Sequence, residues 1–409
     1  MMLNSKKPKI RFKGFNNDWE QRKFNQFAKY RNGKAHENDI CDGGKYIVVN
    51  SKFCSTDGEV KKYSNKQNEP LYKNDIAFVL SDVPNGRALA RTFLVEKDNK
   101  YTLNQRIAGI TPLDNTDPYY LYIMMNRNGY FLQFDDGAKQ TNLSTTDVFK
   151  FEEMFPNKKE QEDIGNIFKQ IDNLIALYQR KYEKLVNIRK SILEKMLPKN
   201  LSKVPEIRFK GFSDDWEQHK LSSIASMHAR IGWQNLRTSE FLDNGKYLLI
   251  TGTDFIDGRI DYSSCHYVEK KRYDQDRNIQ VSNGSILITK DGTLGKVALI
   301  QGLSKPATLN AGVFNVLPLN KNNTDTNYLF QYLKAPFLLD YVNKKATGGT
   351  IKHLNQNILV DFPINTPNVN EQAKLGRIFY ELDNLITLHQ SKYNKLIELK
   401  KSLLEKMFI

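Results

Sequence analysis

The stretch Glu160 to Met196, EQEDIGNIFKQIDNLIALYQRKYEKLVNIRKSILEKM, returns at Glu371 to Met407 as EQAKLGRIFYELDNLITLHQSKYNKLIELKKSLLEKM, with 21 identities in 37 positions and no gap. In the first copy Ile164, Phe168, Ile171, Ile175, Tyr178, Tyr182 and Leu185 step by four and three; Ile188, Ile192 and Met196 continue after a one-residue slip. The second copy repeats this as Leu375, Phe379, Leu382, Ile386, His389, Tyr393, Leu396, Leu399, Leu403 and Met407. Such spacing predicts the apolar seam of a long coiled-coil helix, with a local change of winding at the slip. No Pro or Gly interrupts either run after Gly165 and Gly376, and Pro198 and Asn200 end the first helix. A helix of ~35 residues far exceeds the usual globular length of about 11 to 12. Two matching seams in one chain most simply bury each other. An antiparallel pairing, with a pseudo-two-fold axis, lets two equivalent units make equivalent contacts with the rod.

Upstream of each copy lies a second shared block. Pro8 to Lys23 reads PKIRFKGFNNDWEQRK and Pro205 to Lys220 reads PEIRFKGFSDDWEQHK, 12 identities in 16 positions. Between box and helix the two halves diverge, and their period becomes that of strands. YIVV at 46–49, DIAFVL at 75–80, LLIT at 248–251, SILIT at 285–289 and KVALI at 296–300 are short β-branched runs bounded by turn residues. YYLYIMMN at 119–126 and NYLFQYLK at 327–334 are short helical stretches. Faint echoes persist: DGGKY at 42–46 answers DNGKY at 243–247, and TLNQ at 102–105 answers TLNA at 308–311. The fold class is therefore α+β, with two similar modules joined by a two-helix coiled coil. The expected domains are 1–155, the helix 156–200, 201–367, and the helix 368–409.

The net charge of +15 and pI near 9.4 point toward a polyanion. The block 160–196 has seven Lys/Arg against six Asp/Glu, and 371–409 has seven against five, so the helices together carry only +3. The remaining +12 lies in the divergent segments and their flanks. Cys41, Cys54 and Cys265 neither frame a disulfide set nor form a CxxC pattern, which fits a reducing cytoplasm. No apolar run approaches 18 residues, and the start MMLNSKKPK lacks an apolar signal region, so a soluble cytoplasmic protein is expected.

Catalytic signals are absent. GTLGK at 292–296 has two residues between its glycines where a phosphate loop needs four, and Val297 follows the lysine; a tight turn between strands is the better reading. The six histidines show no metal-ligand spacing, and neither a GxSxG elbow nor an NPPY-type tetrapeptide occurs. The loops instead gather amide, hydroxyl and cationic side chains. Asn104, Gln105 and Arg106, then Lys139, Gln140, Thr141 and Asn142, recur in kind as Arg230, Trp233, Gln234, Asn235 and Arg237, with Lys290, Asn310 and the run containing Thr347, Thr350, Lys352 and His353. Arg reads guanine, Asn and Gln read adenine and Lys neutralises phosphate, so these groups suit major-groove readout.

The order RF-x-GF-x-x-x-WE, variable segment, long helix, then the whole set again resembles the specificity subunit of a Type I restriction-modification system over essentially the full length. HENDI at 36–40 with VVNSKF at 48–53, SDVPNGRALA at 81–90, which carries Arg87, and YTLNQR in the first half, and RIGWQNLR with ITKDGTLGKVA in the second, are similar to recognised target recognition domains. The resemblance implies two such domains, each reading half of a bipartite double-stranded DNA site, with the helices as a ruler of roughly 50 Å at 1.5 Å per residue. It implies two methyltransferase subunits that bind S-adenosylmethionine, and two motor-nuclease subunits that use ATP and Mg; none of these cofactors is expected on this chain. The boxes around Phe12, Trp19, Phe209 and Trp216 are read as packing between module and rod. A stand-alone DNA-modifying or cleaving enzyme, or a protein-only coiled-coil scaffold, are the alternatives.

Overall fold

The computed structural model describes residues 7–198, 202–291, 294–345 and 354–408. The chain divides into two compact units, Met1–Gln179 with Ser391–Ile409, and Arg180–Gln390. Both divisions fall inside long helices, Lys158–Met196 and Val369–Met407, each of 39 residues.

In the first unit the strand Ile76–Val79 is buried throughout, because a core lies against each of its faces. Period-two alternation sends Ile76 and Phe78 into a core with Trp19, Tyr120 and Phe168, and sends Ala77 and Val79 into a core with Ile47, Phe53 and Leu103. That strand belongs to an antiparallel sheet ordered Ala28–Asn32, Ile107–Pro112, Ile76–Val79, Thr92–Leu94. The second sheet is ordered Lys62–Ser64, Tyr46–Val49, Tyr101–Leu103, Pro70–Leu71, and its central pair is parallel. The second unit repeats both sheets: Ala225–Ala229, Val313–Pro318, Ile286–Thr289, Val297–Leu299, and His266–Val268, Tyr247–Ile250, Ala307–Leu309, Gln280–Val281, the last again with a parallel central pair. Ile286 and Ile288 face one core and Leu287 the other, as in the first unit. Ile286–Thr289 and Val297–Leu299 form an antiparallel hairpin, and Gly295 takes the positive φ of 70° that its turn requires.

Each module docks on the first turns of a long helix by the same contacts. Asp117 caps the helix Pro118–Met125 through the Tyr120 N–H, and Asp325 caps Thr326–Lys334 through the Tyr328 N–H, both at 2.8 Å. The side-chain oxygens of Gln161 and Gln372 accept from the Asp117 and Asp325 N–H groups at 3.0 Å. Gly165 and Gly376 allow this approach: a Cβ there would lie 2.6 and 2.7 Å from the capping carboxylates.

The shared boxes are anchors. Arg11 grips Glu160 through Nε and Nη2 at 2.6 and 2.7 Å, and Arg208 grips Glu371 in the same way at 2.8 Å twice. Both glutamates are buried in the first turn of a long helix, where a carboxylate is favoured by the helix dipole. One residue before each arginine, the Ile10 and Ile207 N–H groups donate at 2.9 Å to the Lys406 and Lys195 carbonyls, which the helix ends leave without intrahelical partners. Trp19 and Trp216 are buried, and Phe12 and Phe209 pack against the same cores.

Within the first unit the two helix segments run antiparallel. Phe168 meets Phe408, Asp172 pairs with Lys400 at 2.6 Å, and Lys392 lies over Tyr178. Ile164, Phe168, Ile171, Leu375 and Phe379 are buried, while Ile175, Tyr182, Leu185, Ile192, Leu382, Ile386, Tyr393, Leu396 and Leu403 are half-buried. The expected slip does not occur. Ile188 and Leu399 are exposed, and the inward positions are Arg189 and Lys400, which keep the spacing of three and four unbroken to Met196 and Met407. In the second unit Arg189 reaches Asp383 at 2.5 Å, and Lys334 and Gln331 complete the cluster at 3.2 and 2.8 Å. Burial alone would push the Asp383 carboxyl up, but Lys334 and Arg189 outweigh it and hold it below the usual range. A cation can occupy a seam position because a carboxylate waits for it, so no change of winding is needed.

Candidate nucleic-acid interface

In the first unit the turn Asn104–Arg106 marks the point where the chain passes from one sheet to the other, between strands Tyr101–Leu103 and Ile107–Pro112. Beside it the segment 82–89 closes around one carboxylate. Asp82 accepts from the N–H groups of Val83, Ala88 and Leu89 at 2.8, 2.5 and 3.1 Å, and Gly86 lies so close that a Cβ would stand 2.1 Å from it. The third segment, Thr141–Asn142, pairs antiparallel with Ser81–Asp82. Leu80 joins all three: its N–H donates to the Arg106 carbonyl at 3.1 Å and its carbonyl accepts from Leu143 at 2.8 Å.

The structure thus brings Arg87, Asn104, Gln105, Arg106 and Lys139 to Asn142 to neighbouring loops. Arg87, Gln105, Arg106, Lys139, Gln140 and Asn142 are exposed, Asn104 is accessible in part, and Thr141 is buried with its hydroxyl 3.4 Å from Asp135. Gln140 donates to Ser81 at 2.9 Å and to Asn142 at 3.3 Å. Gln105 donates to Glu37, whose carboxyl this bond, then its own backbone and the charge of Arg106, hold below the usual range. Arg87, Arg106 and Lys139 form no ion pair among the described residues, leaving three cations available to an external anion.

The second unit builds the same scaffold from other residues. The Lys290 N–H donates to Gly312 and its carbonyl accepts from Leu354, each at 2.8 Å, as Leu80 does in the first unit. The Lys290 ammonium sits 5.7 Å from the centre of the Phe314 ring. Asn310 donates its N–H to Ile250 at 2.9 Å and is half-buried, and Asn235 is exposed. Thr347, Thr350, Lys352 and His353 lie outside the described residues, as does the side chain of Trp233.

Two of the expected contact residues are placed elsewhere. Arg230 is 1% exposed: it donates to the Leu309 carbonyl at 2.9 Å and the Thr308 hydroxyl at 3.3 Å, tying strand Ala225–Ala229 to Ala307–Leu309. Burial lowers the pKa of its guanidinium. Gln234 is buried too, so neither side chain faces a ligand. In the first unit the buried His36 takes the place of Arg230, with Nε2 at 2.9 Å from the Thr102 hydroxyl. His36 and Glu37 lie in HENDI and Asp82 in SDVPNGRALA, but the sequence alone assigned none of them a role. The shared TLN of 102–104 and 308–310 was the available signal for His36, and the Pro84-Asn85-Gly86 turn after Asp82 was the signal for the loop it holds.

Among the described residues no three His, Cys, Asp or Glu side chains gather to hold a metal, and no helix is long and apolar enough to cross a membrane. Burial pushes the Cys54 and Cys265 thiols up to about 12, far from a reactive thiolate.

The family described as Type I restriction modification DNA specificity domain matches residues 16–187 and 213–399. The chain is 22% identical over 406 residues to the Type I restriction enzyme MjaVIII specificity subunit of Methanocaldococcus jannaschii, covering 95% of this chain and 91% of that one. It is 29% identical over 203 residues to the putative MjaX specificity subunit of the same organism, covering 48% and 46%. The solved structure of a Type I restriction-modification S subunit from M. genitalium superposes with a TM-score of 0.69 at 17% identity, over 98% of this chain and 99% of that one, and so shares the fold. With two copies of the domain spanning most of its length on that fold, the chain belongs to the Type I restriction-modification DNA specificity family.

Proposed function

We propose that the chain is the non-catalytic, sequence-reading subunit of a Type I restriction-modification complex. Each module reads one half of a bipartite DNA site, and the long helices set the spacer between the halves. The observation that carries this reading is the repeated scaffold: the same backbone hydrogen bonds through Leu80 and Lys290 support loops whose side chains differ. A shared frame under divergent amide and cationic groups is what two different base readouts require.

The partners follow from a second feature of the helices. Leu174, Leu177, Val186 and Ile188 are exposed on the first, and Leu385, Leu388, Ile397 and Leu399 occupy the matching positions, 211 residues on, in the second. Exposed apolar positions kept in both copies mark contact surfaces, and their duplication supports two equivalent partners, the methyltransferase subunits. These would bring S-adenosylmethionine, and the motor-nuclease subunits would bring ATP and Mg.

Replacing Arg87, Arg106 and Lys139 together by alanine lowers the slope of log affinity against log salt by about 0.9 for each phosphate these cations neutralise. The measurement is a salt titration of DNA binding by the assembled complex. An unchanged slope would remove this face from the interface. The chain alone neither methylates nor cleaves DNA; either activity would favour a stand-alone enzyme.

A further inference from the structure

Glu37 is a carboxylate placed among cations. The buried His36 fixes its position, with Nδ1 2.7 Å from the Lys34 carbonyl oxygen and Nε2 2.9 Å from the Thr102 hydroxyl. Glu37 itself is exposed and accepts a hydrogen bond from Gln105 Nε2, next to Arg106. Because a carboxylate can only accept, the nitrogen of the Gln105 amide must face it. The Gln105 carbonyl oxygen and the second oxygen of Glu37 remain for an external partner.

A glutamine free to turn donates and accepts together, and so matches adenine N7 and N6. One tied by a carboxylate spends an amide hydrogen on it and sets its carbonyl oxygen beside the carboxylate as a second acceptor. In the major groove the base groups that donate are adenine N6 and cytosine N4, whereas phosphate only accepts and repels a carboxylate. The matching turn of the second module reads Asn310, Ala311, Gly312, so Ala and Gly stand where the first has Gln and Arg. The feature belongs to one module.

We propose that Glu37 is a specificity-determining residue: with Gln105 it forms an acceptor pair for the exocyclic amine of one adenine or cytosine in the half-site read by the first module, beside the base or phosphate met by Arg106. This rests on the DNA-reading function proposed above.

The test selects bound duplexes from a randomised pool with the chain assembled with its methyltransferase partners. Glu37→Ala and Gln105→Ala each relax discrimination at the same base pair by roughly 5- to 100-fold, the double variant relaxes it no further, and the other half-site and spacer stay as in wild type. Glu37→Gln keeps an acceptor for Gln105 but turns its own amide nitrogen outward, so it shifts the preference toward a base that accepts, guanine or thymine. The proposal is overturned if the two alanine variants act at different positions, if affinity changes equally for all sequences, or if Glu37→Gln selects the wild-type site. Failure of the wild-type complex to select any bipartite site would instead overturn the DNA-reading function itself.

Discussion

Exchanging residues 24–155 for the equivalent segment of a relative changes one half of the methylated sequence and leaves the other half and the spacer as they were. The reason lies in the joints. Each module meets its long helix through an aspartate cap, a glutamine that reads the cap's N–H, and a glycine that lets the cap approach: Asp117, Gln161 and Gly165 in one unit, Asp325, Gln372 and Gly376 in the other. Only the cap lies in the exchanged segment. The two halves of this chain have diverged almost everywhere between box and helix, yet both keep this joint. A donor with aspartate at the cap therefore docks, bringing its own two sheets and the core between them. Mapping methylated adenines in cells carrying the chimaera reads the outcome, and a change in both halves would refute the modular reading.

Arg11→Ala destabilises the first unit by about 3 to 5 kcal/mol. Glu160 is fully buried, and without the guanidinium its carboxyl is left with the helix N-terminus but no ion-pair partner. The variant Arg11→Ala with Glu160→Gln removes the charge along with its partner and recovers much of the stability, because the cost comes from the uncompensated carboxylate rather than from the absent ion pair itself. Arg208 and Glu371 form the same pair in the second unit, and Arg208→Ala behaves alike. Urea denaturation of wild type and the three variants measures the differences. A decrease below about 1 kcal/mol would place these pairs with surface salt bridges and would remove the box as an anchor of the helix ends.

The strands and short helices were legible because each is a local pattern. DIAFVL and SILIT are β-branched runs between turn residues, and an aspartate before each short helix supplies its cap. The long helices were legible for the same reason, with one instructive failure. A search for apolar residues passed over Arg189 and Lys400, took Ile188 and Leu399 in their place, and so inferred a slip. Whether a cation can face inward depends on Asp383 and Asp172, each far away in sequence. The loops show the same boundary. Arg106 and Arg230 are the same residue type in the same kind of polar stretch, but one ends at the surface and the other between two strands. Residue type announces which chemistry is possible, and long-range packing decides which side chains are free to perform it. Glu37 stands in the HENDI stretch without a role assigned to it, because a lone glutamate in a polar loop carries no signal of its own until Gln105 is seen to hold it.

The positions of methylated adenines test the DNA-reading function most directly. Genome-wide mapping in cells that keep the partner subunits, with and without this chain, should show one bipartite motif, two short specific halves around an unspecified spacer, that disappears when the chain is removed and returns when it is restored. Methylation that persists unchanged without the chain, or a motif with a single uninterrupted core, would contradict that function.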